Sequence, residues 1–97
     1  MGKFSRPKPT LLPEKLRQIR LALGLSQNEM IKKLGLTDQL LQGSISGYEI
    51  GTREPPLPVL LKYAQTAGIC TDFLIDDGLR LPAKLPSIAQ HNLRRSR

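Results

Sequence analysis

Apolar residues recur along this chain at helical spacing, in short blocks that glycines close. Leu16, Ile19 and Leu23 repeat at i, i+3 and i+7, Pro13 suits an early helical position and Gly24 can take the left-handed stop, so a first helix is predicted over residues 13–23. Ser26 followed three residues later by Glu29 is a capping box, with the hydroxyl set to accept from the Glu29 amide and the carboxylate reaching back to the Ser26 amide. The helix it starts runs to Leu34, with Met30, Ile31 and Leu34 as its core face, Lys32 and Lys33 at its negative end and Gly35 as its stop. A helix shorter than roughly 12 to 15 residues is marginal alone and must pack on a neighbour.

Thr37 is a reasonable N-cap for a third helix, in which Leu41, Ile45 and Tyr48 share one side at i, i+4 and i+7. Gly43 and Gly47 weaken that helix, since each costs up to about 1 kcal/mol in a helix interior. Gly51 starts a turn, and the prolines at 55, 56 and 58 delay the next helix to residues 58–67. Leu60, Leu61 and Ala64 then face inward, Leu57 packs back on that helix and Gly68 stops it. A short fifth helix follows Thr71, with Asp72 in its first turn and Phe73, Leu74 and Ile75 as its apolar content, ending by Gly78. The pattern predicts an all-α bundle of four to five helices over residues 12–78, without strand or repeat, between a flexible basic arm (1–11) and a basic tail (79–97).

Composition narrows the functions. The 97 residues suffice for one small core but not for an additional ligand-sensing domain of ordinary size. Cys70 has no second thiol, so neither a disulfide framework nor a cysteine metal cluster is expected; it reads as a small buried apolar side chain in a reducing cytoplasm. No apolar run approaches the roughly 20 residues of a membrane span, and no signal peptide is evident, so a cytoplasmic location and no membrane partner are expected. The net charge is +7, and the bases at positions 3, 6, 8, 80, 84, 94, 95 and 97 are flanked by no acid, which leaves the middle near neutral. Basic flanks add sequence-independent attraction to phosphates, or are simply solvated ends. No catalytic constellation emerges: His91 lies in the tail, Cys70 has no base near it, and Asp72, Asp76 and Asp77 read as a cap and a solvated end. An enzyme is not expected, nor a cofactor or metal.

Taken together, Gly24-Leu25-Ser26-Gln27, Leu34-Gly35-Leu36, Ile45-Ser46, Tyr48-Glu49-Ile50-Gly51 and Arg53-Glu54-Pro55, followed by a Leu-rich helix and Thr71-Asp72-Phe73-Leu74, resemble the lambda-repressor-like, Cro-type (XRE) class of helix-turn-helix DNA-binding domains. The resemblance spans residues 12–77. It implies a bundle whose recognition helix enters the major groove while the preceding helix crosses the backbone. On that footing Gln39, Gln42, Ser44 and Ser46 are candidates for base edges, Gln27 and Asn28 for phosphate at a positive helix end, and Thr52 and Arg53 for phosphate on the other side, with Thr37 at the head of the segment. The family commonly pairs an arginine of the first helix with a glutamate late in the recognition helix, and the matching positions here are Arg20 and Glu49.

Two departures stand out. The stretch from Gly35 to Glu49 is about four residues longer than the usual spacing, close to one helical turn, and the added residues are either helix or loop. Ile31 stands where the family usually has alanine. The recognition segment also lacks Arg and Lys. The expected function is a sequence-specific transcriptional regulator, a repressor binding double-stranded DNA as a homodimer on a palindrome. The competing expectation is a helix-turn-helix interaction module, including an antitoxin-like protein partner, with weak or non-specific DNA binding.

Overall fold

A computed structural model of the chain describes residues 9–86. Among them are five helices and no strand: α1 (Leu12–Ala22), α2 (Gln27–Leu34), α3 (Gln42–Ile50), α4 (Leu57–Ala67) and α5 (Asp72–Ile75). α1 packs on α3 and α5, and α2 packs on α3 and α4. One core joins them, with Leu16 and Ile19 of α1, Met30 of α2, Ile45 of α3, Tyr63 of α4 and Leu74 of α5 fully buried. Ile31 and Leu34 complete the inner face of α2.

The ends of these helices follow local chemistry. The Ser26 hydroxyl accepts from the Glu29 amide at 3.1 Å, and the Glu29 carboxylate accepts from the Ser26 amide at 2.7 Å. Both orphan donors are thereby satisfied, and the Ser26 N–H holds the Glu29 carboxyl below its ordinary range. Gly35 closes α2 at φ 75°, a left-handed conformation that side chains rarely adopt.

α1 has no side-chain cap of its own. Asp77 supplies one from the other end of the domain: its carboxylate accepts the Thr10 and Leu11 amides at 2.9 and 3.0 Å. In return Lys15 of α1, only 4% exposed, donates its ammonium to the carbonyls of Phe73 and Asp76 at 2.7 and 2.9 Å, at the end of α5. An acid thus sits on the positive end of one helix and a lysine on the negative end of another, each favoured by the helix dipole. Neither Lys15 nor the capping role of Asp77 emerges from the sequence, where Asp77 reads as a solvated end.

Several expectations need correction. Thr37 is not an N-cap: residues 37–39 form a turn in which the Gln39 and Leu40 amides both bond back to the Leu36 carbonyl at 2.9 Å. Leu36 is buried and Leu40 packs on the core, so the turn is anchored and α3 starts only after an extended Leu41 (φ −113°, ψ 165°). Leu41 consequently leaves the core stripe and is 77% exposed. The added residues are loop. In α4 the buried set is Val59, Leu60, Tyr63, Ala64 and Ala67; Leu57 and Leu61 lie off this stripe and face out. Ile75 is exposed and Phe73 half-buried, and Cys70 is exposed rather than buried. The segment after Leu79 does not leave the domain at once, because Leu85 is 3% exposed within the core and Leu81 packs against it. Residues 1–8 and 87–97, including His91 and most of the basic arm and tail, lie outside the described residues.

Ser26→Ala removes one acceptor of the capping box and is expected to lower stability by about 1 kcal/mol, read by urea unfolding. The acid limb tests the second cap. The carboxyls of Asp77 and Glu29 lie below their ordinary values of 3.8 and 4.5, Asp77 chiefly through the Leu11 amide, then that of Thr10. Their contribution is therefore complete above those ordinary values and is lost as pH falls through the depressed ones. Stability should decline as the pH drops below 4.5, and Asp77→Asn should make that decline shallower.

Candidate nucleic-acid interface

The start of α2, the start of α3 and the loop after α3 carry the candidate contacts, and one buried ion pair sets how the helices bearing them meet. Arg20 of α1 donates from Nε and Nη2 to the two carboxylate oxygens of Glu49 at 2.7 and 3.0 Å, and from Nη1 to the Leu25 carbonyl at 2.9 Å. The side chains are 13% and 4% exposed respectively. The Glu49 carboxylate pushes the Arg20 guanidinium further up from its ordinary value, so Arg20 stays charged. Tyr63 is buried against the same field, and burial raises its phenol strongly; its hydroxyl has no hydrogen-bond partner among the described residues.

From this pair a polar chain leads outward. Gln27, the first residue of α2, donates its amide to Glu49 Oε1 at 3.3 Å, and its own Oε1 accepts from Gln42 Nε2 at 3.3 Å. Gln42 opens α3 and is exposed. The two helix starts are therefore linked side chain to side chain, with Asn28 exposed beside Gln27. The outward positions of α3 are Gln42, Gly43, half-buried Ser46 and Ile50, while Ile45, Tyr48 and Glu49 face in.

The other candidates are placed differently. Ser44 turns its hydroxyl to the Leu41 amide, which donates to it at 3.4 Å, so this side chain serves the start of α3. Thr37 and Gln39 are exposed on the turn before α3. Thr52 and Arg53 are exposed just after it. Arg53 lies back across α3: a methyl group added at Gly47 would stand 2.8 Å from Arg53 Cγ and 2.9 Å from Cδ. The Gly47 carbonyl also accepts from the amides of Gly51 and Arg53 at 2.9 and 3.2 Å. Gly47, a weakness in the helix by propensity, is the slot that lets the Arg53 stem lie there. The pattern of the sequence contains no signal for this contact, which joins a helix interior to the loop beyond it.

A helix-turn-helix family model matches residues 16–74. The chain is 40% identical over 62 residues to YonR of Bacillus subtilis (strain 168), described as an SPbeta prophage-derived uncharacterized HTH-type transcriptional regulator; the match covers 64% of this chain and 54% of that protein. The chain thus spans about half the length of this relative. No solved structure matches.

Removing Arg20 would leave Glu49 charged and nearly enclosed. Arg20→Ala is expected to cost about 3 kcal/mol in urea unfolding, the low end for a buried pair because one edge of the arginine reaches solvent. Replacing both partners, Arg20→Met with Glu49→Leu, should cost less than the sum of the single changes. With the ion pair joining its first and third helices, linked helix starts and a family model spanning residues 16–74, this chain belongs to the lambda-repressor-like (XRE) helix-turn-helix family.

Proposed function

We propose that this protein is a sequence-specific DNA-binding transcriptional regulator, a repressor that acts as a homodimer on a palindromic site. The observation that carries the reading is the Gln27–Gln42 link, which presents the starts of α2 and α3 as one polar edge. In this reading α3 lies in the major groove with Gln42 bonding adenine at two points and Ser46 meeting a neighbouring base edge. Gln27 and Asn28 meet phosphate, where backbone amides at the start of α2 favour an anion. Thr52 and Arg53 grip phosphate from the other side of α3, with Arg53 aimed by the Gly47 slot. Ser44, engaged at the start of the helix, moves from base reader to cap. Two copies related by a two-fold axis would read half-sites about 34 Å apart and repress by occupying a promoter.

Leu74 and Leu85 are buried in the core of the chain itself and so do not serve a dimer contact. The exposed apolar side chains on α4 and α5 are Leu57, Leu61 and Ile75. Among the described residues no helix is long and apolar enough to cross a membrane.

The test is selection from a pool of random duplexes, followed by titration at two salt concentrations. The intact chain, a Gln42→Ala variant and a chain ending at Pro86 are compared; cutting earlier would remove Leu85 from the core. A palindrome is expected to be enriched, and Gln42→Ala should weaken its binding by about tenfold or more, the worth of a two-point base contact. Weak, steeply salt-dependent binding that disappears with residues 87–97 alone would refute base reading and point to a protein partner.

A further inference from the structure

Among the described residues Leu41 is the most exposed of the large apolar side chains, at 77%. It is not a loose end. Its amide donates to Ser44 Oγ at 3.4 Å, and its carbonyl accepts from the amides of Ser44 and Ile45 at 2.9 and 3.4 Å. The turn before it is tied down as well: Leu36 is buried, Leu40 packs on the core, and the Gln39 and Leu40 amides converge on the Leu36 carbonyl. Of two adjacent leucines, the turn takes Leu40 inward and presents Leu41.

Leu41 leads directly into Gln42 and Gly43, and nothing lies within 4 Å of where a side chain at Gly43 would begin. The surface beside Leu41 is therefore low and open. A leucine neither donates nor accepts hydrogen bonds, so the feature it can distinguish on a major-groove base edge is the C5-methyl of thymine. From Thr37 to Thr52 there is no Arg or Lys, the usual readers of guanine, whereas Gln42 suits adenine. We propose that Leu41 is a specificity residue that covers the methyl group of a thymine next to the base pair met by Gln42, directing this part of the half-site toward A·T pairs. The inference rests on the DNA-reading function proposed above.

The experiment uses the duplex enriched by selection. Each thymine is replaced in turn by deoxyuridine, which removes the methyl group and leaves the hydrogen-bonding edge intact. Binding is measured for the intact chain, for Leu41→Ala and for Leu41→Met. One position per half-site is expected at which uracil weakens the intact chain by about fourfold, the worth of one buried methyl. At that position Leu41→Ala should be indifferent to the swap, while Leu41→Met, which keeps an apolar reach, should still sense it. Uracil effects that are equal for the intact chain and Leu41→Ala at every position, or absent throughout, would overturn the role of Leu41 and leave base reading by Gln42 standing. A pool that enriches no duplex would overturn both.

Discussion

The two-point bond between Arg20 and Glu49 is the constraint on which the geometry of this domain turns, because it fixes the third helix against the first. α3 is poorly equipped to hold itself: nine residues long, it contains Gly43 and Gly47 and has no acid in its first turn and no base in its last. Its place must come from outside. The guanidinium supplies it, and the Leu25 carbonyl holds the guanidinium in turn, so α1, the loop before α2 and α3 meet at one planar group. Such a pair recovers little net stability after desolvation, and its contribution is to geometry. Gln27 extends that geometry to the surface by bonding Glu49 on one side and Gln42 on the other.

Two smaller devices have the same logic of one element supplying what another lacks. Lys15 and Asp77 exchange charge between the start of α1, which has no side-chain cap of its own, and the end of α5. Gly47 gives up helix propensity, and the space it leaves is filled by the stem of Arg53. In each case a local defect is matched by a residue distant in sequence or beyond the element's end.

Features written in a few consecutive residues were legible. The capping box at Ser26 and Glu29, the glycine stops and the inner faces of α1 and α2 follow from spacing alone. Contacts across long stretches of chain were not: Lys15 reaches a carbonyl 58 residues away, and Asp77 an amide 67 residues away. The Arg20–Glu49 contact spans 29 residues, and only the family likeness pairs these two positions. Leu41 was misplaced for a different reason. Its spacing to Ile45 and Tyr48 suits a helix, but the Leu36 and Leu40 anchors end the turn in an extended residue, and tertiary packing overrides the period. Leu57 and Leu61 show the same limit, since a leucine-rich helix has more apolar positions than one neighbour can cover. Of the candidate contacts, the residue types were readable but their grouping was not: only the folded chain puts Gln27 against Gln42 and the Ser44 hydroxyl against the Leu41 amide.

The anchored turn from Leu36 to Leu40 has a consequence for how this surface can diversify. Because Leu36 and Leu40 dock on the core and the turn closes on a single carbonyl, Thr37, Asp38 and Gln39 project outside the α2–α3 packing. Exposed turns accept changes of length and composition at little thermodynamic cost. A lineage could therefore lengthen, shorten or rewrite these three positions while the helices behind them stay in register, which makes the turn an evolutionary dial set beside a fixed frame.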